Sequence, residues 1–378
     1  MYMSNGNYNI EQVIKDLKEK DFPYYENEKW YTKGDVKSWR NEQFKSLTAF
    51  KREAIWLKEK VNNQTYNIIG QSTHGLSLAW SYMPHSWGIK CGKMKTPMEI
   101  WEDEEHLKKG VNKILKGTFF KQKKPHEITG SDLRSMLRRY SGTQMVSNFR
   151  PTAAATLYDI FVEKGSPLFD EEPGTVWDPS MGYGGRLLGA IAAGVNYIGT
   201  DPCVPTYAGL EKIRDEYGLP DRKYTLLKKG SETFEPIENS LDFVFTSPPY
   251  LGHEMYGDEA EQSFKKFPEQ DLWKEGFLLK TIQNAYHGLK PGKRAAFNVA
   301  NVKSYKTFEE DTYDCMIRAG FKDIDIWWLS LSTQQGSSSK NTLEEGETEI
   351  KQKNNYIGRF ARPDIPGRKY EPIFIGIK

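Results

Sequence analysis

Two consecutive prolines directly behind an apolar run constrain this chain more than any other feature. The run is Leu241-Asp242-Phe243-Val244-Phe245 and the turn that follows is Thr246-Ser247-Pro248-Pro249-Tyr250. Neither proline can donate a ladder hydrogen bond and each fixes its own φ. The pair therefore ends a strand and holds Ser247 and Tyr250 in a rigid, extended turn at its carboxyl end. In an open α/β sheet, ligands bind along that edge. There the turn would present a hydroxyl, backbone carbonyls and an aromatic face.

Around this strand, short apolar runs alternate with helical patterns, as in a doubly wound parallel sheet. Thr175-Val176-Trp177 reads as a strand that enters the turn Asp178-Pro179-Ser180-Met181-Gly182-Tyr183-Gly184-Gly185, with a helix over 186–193 beyond it. Further strands are expected at 197–200, 224–227, 243–245 and 294–299, with helices over 207–217 and 272–289. The latter helix is closed by the terminator Lys290-Pro291-Gly292. After a helix over 308–319, strands at 324–331 and 371–377 close the sheet as an antiparallel pair. The expectation is a seven-stranded, Rossmann-like α/β sheet.

That pattern occupies 141–378, within which Thr333 to Lys369 reads as a long flexible insertion. Residues 1–140 stand apart as an extra, mainly helical region, with helices expected over 11–20, 42–60 and 98–116. Composition bounds the rest. No run approaches the ~20 apolar residues of a membrane helix, and the polar Met1-Tyr2-Met3-Ser4-Asn5 does not read as a signal peptide, so a cytoplasmic protein is expected. Cys91, Cys203 and Cys315 lie far apart and suit neither a disulfide framework nor closely spaced metal ligands. They read as buried or idle thiols, and no metal is expected. A net charge of +2 over 378 residues says little, because a nucleic-acid enzyme can gather its positive charge on one face.

In the glycine turn, Gly182, Gly184 and Gly185 let the backbone approach a ligand where a side chain would collide. A glycine-rich strand-to-helix turn is a weak signal alone. It is sharpened by Gly199-Thr200-Asp201, whose acid falls about twenty residues on, at the end of the next strand, where it can accept both hydroxyls of a ribose. Asp201 could equally cap the helix that follows. The turn carries no lysine, which argues against a nucleoside triphosphate.

The glycine turn followed by Ser247-Pro248-Pro249-Tyr250 resembles the S-adenosylmethionine-dependent methyltransferases that modify exocyclic amines of cytosine or adenine in DNA. The resemblance covers roughly residues 145–378. A segment ahead of the turn, Asn148-Phe149-Arg150-Pro151-Thr152, is similar to the family's first motif, so the order is that of the gamma arrangement. What the resemblance implies is a cofactor site at Asn148, Phe149, Arg150, Pro151, Thr152, Asp178, Pro179, Met181, Gly182, Gly184, Gly185 and Asp201. Phe149 and Pro151 would line the methionine end, and Thr152 would cap the next helix. Ser231, in Lys229-Gly230-Ser231-Glu232, falls where the family places a contact to adenine, although a solvated turn explains it equally well. The family usually carries a sizeable target-recognition domain at its carboxyl end, for which only the Thr333 to Lys369 insertion is available here, so residues 1–140 are the other candidate for that role and sequence specificity is left open.

The catalytic residues implied are Ser247, Pro248, Pro249 and Tyr250. An exocyclic amine is a poor nucleophile, because its lone pair is delocalised into the ring until acceptors grip its protons. Ser247 Oγ and the Pro248 carbonyl are suited to that, and the gain in rate comes from orientation and from acceptors that grip harder as positive charge builds on nitrogen. Tyr250 would stack on a base rotated out of its duplex. Serine in place of a carboxylate or amide is commoner among cytosine-N4 enzymes and does not exclude adenine-N6. A Pro-Pro-Tyr run could also be a surface ligand for a recognition domain, a reading weakened by the strand in front of it.

DNA is the expected partner, with phosphate contacts at Lys121, Lys123, Lys124, Arg134, Arg138 and Arg139. The bland alternative is a solvated helix face. His253, Tyr256 and Lys265-Lys266 fall on what should be a mobile loop over the target base. An RNA methyltransferase and a non-catalytic relative of the fold remain open, as does a restriction partner.

Overall fold

The computed structural model describes the chain except residues 1–2, 5–6, 32–33, 62, 119–120, 141, 166–171, 253, 332–359 and 366–367. Most of the Thr333 to Lys369 segment and His253 thus lie outside the described residues.

Eleven strands occur among the described residues. A small hairpin, β1 (Met3–Ser4) with β2 (Asn7–Tyr8), stands alone. The other nine form one sheet: β3 (Trp56–Val61), β4 (Gln64–Ile69), β5 (Thr175–Asp178), β6 (Asn196–Thr200), β7 (Tyr224–Leu227), β8 (Leu241–Thr246), β9 (Leu289–Asn298), β10 (Lys322–Leu331) and β11 (Lys369–Ile377). Their spatial order is β3-β4-β10-β11-β9-β8-β5-β6-β7. Strands β5 to β9 run parallel to their neighbours in this set, whereas β11 is antiparallel to both β9 and β10.

The fold is mixed α/β, wound on both faces. Along β8 all six positions are buried, as a strand covered on both sides requires, and successive side chains go to opposite cores. Val176, Phe243, Phe245, Ala296, Ile373 and Ile375 join helices Pro151–Phe161, Gly185–Ala193 and Val204–Tyr217 on one face. Trp177, Val244, Ala295, Phe297 and Phe374 join helices Lys280–Gly288 and Phe308–Ala319 on the other.

Nine strands, not seven, make the sheet. The added pair comes from the first 140 residues, where a helix had been expected over 42–60. That helix stops early, spanning Val36–Thr48, and β3 begins at Trp56. Tertiary partners override the local pattern here. Ile68 and Ile69 pair in parallel with Trp328 and Leu329 and are fully buried, and the Trp56 ring stacks on Trp327 at 5.9 Å. The span 98–116 is likewise two helices, Pro97–Glu102 and Glu104–Leu115. They break at Asp103, whose carboxylate accepts from the His106 amide as an N-cap. The core that holds Leu47, Trp80, Trp87, Trp101 and Leu133 is continuous with that of the first sheet face.

Candidate active site

At the carboxyl end of β5, Asp178 is fully buried. Its Oδ2 accepts from Arg186 Nε at 2.8 Å and from the Tyr197 hydroxyl at 2.7 Å, and its Oδ1 from the Ser180 amide at 3.2 Å. The Arg186 guanidinium also donates to the Ser180 carbonyl, so one ion pair clamps the start of the turn to the helix beyond it. Further on, Met181 N donates to the Thr200 carbonyl at 3.0 Å and Thr200 Oγ1 to the Pro179 carbonyl at 2.8 Å.

Two glycines in this turn are required for different reasons. Gly182 has φ +55°, which favours glycine, and a Cβ placed there would make only ordinary contact, with Arg186 and Ser180 at 3.8 Å, while the residue lines the cleft. Gly185 has ordinary φ, but a Cβ would stand 1.9 Å from the Phe149 carbonyl oxygen. Its bareness lets the 148–149 segment lie against the helix, where Asn148 Nδ2 donates to the Tyr183 carbonyl at 3.0 Å.

Asp201 follows β6 and accepts two backbone amides, Gly182 N at 3.0 Å on Oδ2 and Cys203 N at 3.0 Å on Oδ1. Burial pushes its carboxyl up to about 6 in spite of those bonds. Ser231 is buried, and its hydroxyl shares a 2.8 Å hydrogen bond with Thr281.

The strand β8 ends at buried Thr246, and the turn beyond it faces a cleft of about 820 Å³. This cleft gathers Asn148, Phe149, Arg150, Pro179, Gly182, Asp201 and Ser231 together with Ser247, Pro248, Pro249 and Tyr250. Tyr250 is half-buried and meets Phe308 edge-on at 5.4 Å. Burial, then the nearby carboxyls of Glu371 and Glu254, push its phenol far up.

Six of the expected cofactor residues do not reach the cleft: Pro151, Thr152, Asp178, Met181, Gly184 and Gly185. They shape it from behind. Arg150, not Thr152, is the N-cap of helix Pro151–Phe161. The buried Thr152 hydroxyl instead accepts from Ser72 Oγ at 3.1 Å. Met181 is turned inward over Gly199, and Gly184, at φ +83°, sits against Ile213.

The basic stretch divides. Lys121, Lys124 and Arg139 are exposed, whereas Lys123 is paired with Asp132 at 2.6 Å. Arg134 is buried, donating to the Pro23 carbonyl at 2.9 Å with its guanidinium 4.1 Å from the Tyr25 ring centre, so it is no surface phosphate contact. Arg138, one turn further on the same inward face, lines the cleft instead. Beyond the tetrapeptide, Met255 N donates to the Lys90 carbonyl at 3.1 Å, the backbones of Cys91 and Glu254 form an isolated antiparallel bridge, and Lys266 pairs with Glu232 at 2.5 Å. The three cysteines are free and buried, and burial raises Cys91 and Cys315 to about 12 and Cys203 to about 11.

Several lining residues escaped the sequence reading. Asn298 and Ala300 lie at the carboxyl end of β9, where the edge rule for parallel strands would have found them. Gln71, Trp80, Gln144 and Glu254 carry no motif, and neither does Glu371, at the start of β11. Burial pushes the Glu371 carboxyl up to about 7, with Glu309 adding to the shift and Arg362 and Asn298 opposing it. No described helix is long and apolar enough to cross a membrane.

Neither models of known protein families nor curated proteins give a match to the chain. Solved structures do. Phosphoethanolamine N-methyltransferase 2 of Haemonchus contortus, in complex with phosphomonomethylethanolamine and S-adenosylhomocysteine, is 18% identical over 41% of this chain and 34% of its own, with a TM-score of 0.29. The chain thus spans about a third of that enzyme's length. A Thermotoga maritima S-adenosylmethionine-dependent O-methyltransferase is 14% identical over 61% of this chain and 67% of its own, at a TM-score of 0.35. The cyclopropane synthase MmaA2 of Mycobacterium tuberculosis is 15% identical over 47% and 62%, at 0.32.

Proposed function

We propose that the chain is an S-adenosylmethionine-dependent methyltransferase acting on an exocyclic amine of an extruded base in DNA, cytosine N4 ahead of adenine N6. One observation carries the reading. The glycine-turn group Gly182 and Asp201 and the tetrapeptide Ser247-Pro248-Pro249-Tyr250 line the same cleft, although they come from different strands.

The residues present fit such a cofactor. Gly182 lines the cleft without a side chain, Asp201 offers a partly desolvated carboxylate to paired hydroxyls, and the turn has no lysine for phosphate. When bound, the cofactor supplies an electrophilic sulfonium methyl. Ser247 Oγ and the Pro248 carbonyl accept the amine's protons and turn its lone pair toward that methyl. Phe308, packed edge-on, holds the Tyr250 ring as a face for the base. Ser247 need not be a strong base, because the amine's proton becomes far more acidic once the methyl has been transferred. Residues 1–140, which contribute Gln71, Trp80 and Arg138 to the cleft wall, take the place of a target-recognition domain.

Incubation with labelled cofactor and either duplex DNA or RNA, followed by nucleoside mass spectrometry of the product, tests the substrate. N4-methylcytosine in DNA is the expected product. Methyladenine alone would reverse the choice of base, and label confined to RNA would overturn the DNA reading.

The cofactor contact has its own pH signature. The Asp201 carboxyl is protonated below about 6 and accepts two hydroxyls best when ionised. Cofactor affinity is therefore full above that value and falls as pH drops through it, and Asp201→Asn flattens the dependence. Asparagine is the more informative change, because its one oxygen keeps one of the Gly182 and Cys203 amides, whereas alanine releases both. Calorimetry giving one affinity from pH 5 to 7.5 would remove Asp201 from the ribose contact.

A further inference from the structure

Two arginines in the cleft wall take no part in the methyl-transfer step above, although the sequence places Arg150 in the expected cofactor segment and Arg138 among the expected phosphate contacts. Arg138 ends the inward face of helix Gly130–Arg139, and Arg150 stands directly before Pro151, the first residue of the next helix. Both line the cleft, beside Gln71 and Trp80.

Their hydrogen-bond partners are neutral. Arg150 Nε donates to Gln71 Oε1 at 3.1 Å, and Arg138 Nη2 donates to the Tyr25 hydroxyl at 3.1 Å. The Arg138 guanidinium lies 4.6 Å from the Trp87 ring centre, and its Nε is buried with no hydrogen-bond partner. Among the described residues, neither guanidinium has a carboxylate within ion-pairing distance.

The two charges feel one another. Burial lowers the Arg150 guanidinium from its ordinary value, and Arg138 lowers it further. The same field reaches Tyr25. Burial pushes that phenol up, yet Arg138 and Arg134 bring it below the ordinary range. Half-buried like charges without a counter-ion cost a fold stability, and the ring contact of Arg138 offsets only part of it. A cleft that holds such a pair in place, packed by aromatic rings, is poised for a ligand that brings the missing charge.

We propose that Arg138 and Arg150 form an oxyanion subsite of the cleft, binding one carboxylate or phosphate group through charge-assisted hydrogen bonds. The planar fork of a guanidinium matches either group. Two sources supply this chemistry, and both rest on the function proposed above: the amino-acid carboxylate of the cofactor, and a backbone phosphate beside the extruded nucleotide.

The test starts from sulfate, which needs no assumption about function. Thermal melting of the full chain is followed against sulfate, with chloride at equal ionic strength as control, for the wild type, Arg138→Met and Arg150→Met. Sulfate is expected to raise the melting temperature of the wild type and of neither variant. Without sulfate, Arg150→Met should melt no lower than the wild type, because a repulsion has been removed. If either methionine variant fails to fold, Arg138→Lys and Arg150→Lys keep the charge and lose the fork, and their response to sulfate should be reduced.

Two arms then separate the sources. If the cofactor carboxylate is the ligand, S-adenosylhomocysteine binds the variants about tenfold or more weakly, while 5′-methylthioadenosine, which has no carboxylate, binds all three proteins alike. If a phosphate is the ligand, S-adenosylhomocysteine affinity is unchanged, and duplex DNA binding weakens with a shallower salt dependence. Wild-type responses of both variants to sulfate, S-adenosylhomocysteine and DNA would overturn the subsite. Absence of S-adenosylhomocysteine binding to the wild type, with a sulfate response that still needs both arginines, would overturn the functional reading and leave the subsite standing.

Discussion

Ser247→Ala lowers turnover by about a hundredfold or more and leaves cofactor affinity unchanged, as expected when one acceptor of a developing charge is lost. The separation is possible because Ser247 and Asp201 reach the cleft from different strands, Ser247 behind β8 and Asp201 behind β6. Pro248 and Pro249 keep the backbone of the turn in place when the hydroxyl is gone. Single-turnover methylation of duplex DNA beside calorimetry with the cofactor reads both quantities. Near-normal turnover in Ser247→Ala would make the tetrapeptide a structural turn. Equal losses in turnover and affinity would place Ser247 against the cofactor rather than the amine.

Asp178→Ala unfolds the protein more readily than any change at the cleft surface, at a cost of about 3 to 5 kcal/mol. The reason is the partner left behind. Arg186 is 5% exposed, and its Nε bond to Asp178 Oδ2 is what offsets the burial of its charge. Tyr197 loses its acceptor in the same step. The double variant Asp178→Ala/Arg186→Met should recover part of the loss, since no unpaired charge then remains. Urea unfolding of the single and double variants measures this. A single variant as stable as the wild type would show that the clamp contributes little. A stable single variant with weakened cofactor binding would return Asp178 to the binding surface, where the resemblance had put it.

These two residues show what could be read along the chain. The tetrapeptide was legible because two prolines behind an apolar run impose their geometry without help from elsewhere. The glycine turn was legible for a similar reason, but the use made of each of its residues was not. Gly182 borders the cleft, whereas Gly185 admits the Phe149 carbonyl and Asp178 holds Arg186. A motif states that the backbone must pass close to something, and not whether that is a ligand or another part of the chain. The run Lys121 to Arg139 divides in a way its spacing does not announce, with Lys121, Lys124 and Arg139 exposed and Arg134 turned inward. Arg134 and Arg138 lie one helical turn apart, and which way that face points depends on Tyr25 and Trp87, far off in sequence.

By itself, then, the sequence determined the alternating α/β pattern after residue 175, the rigid turn behind β8 and the pairing of an acid with a glycine turn. Each of these rests on local chemistry: side-chain period, a fixed φ, a missing Cβ. Only the tertiary structure decided that β3 and β4 widen the sheet to nine strands, because pairing of Ile68 and Ile69 with Trp328 and Leu329 outweighs the helical pattern of the residues before them. It also decided that Glu371 and Arg138 share a cleft with Ser247. Their positions follow from an antiparallel strand order and from helix packing, which act between residues that local pattern cannot connect.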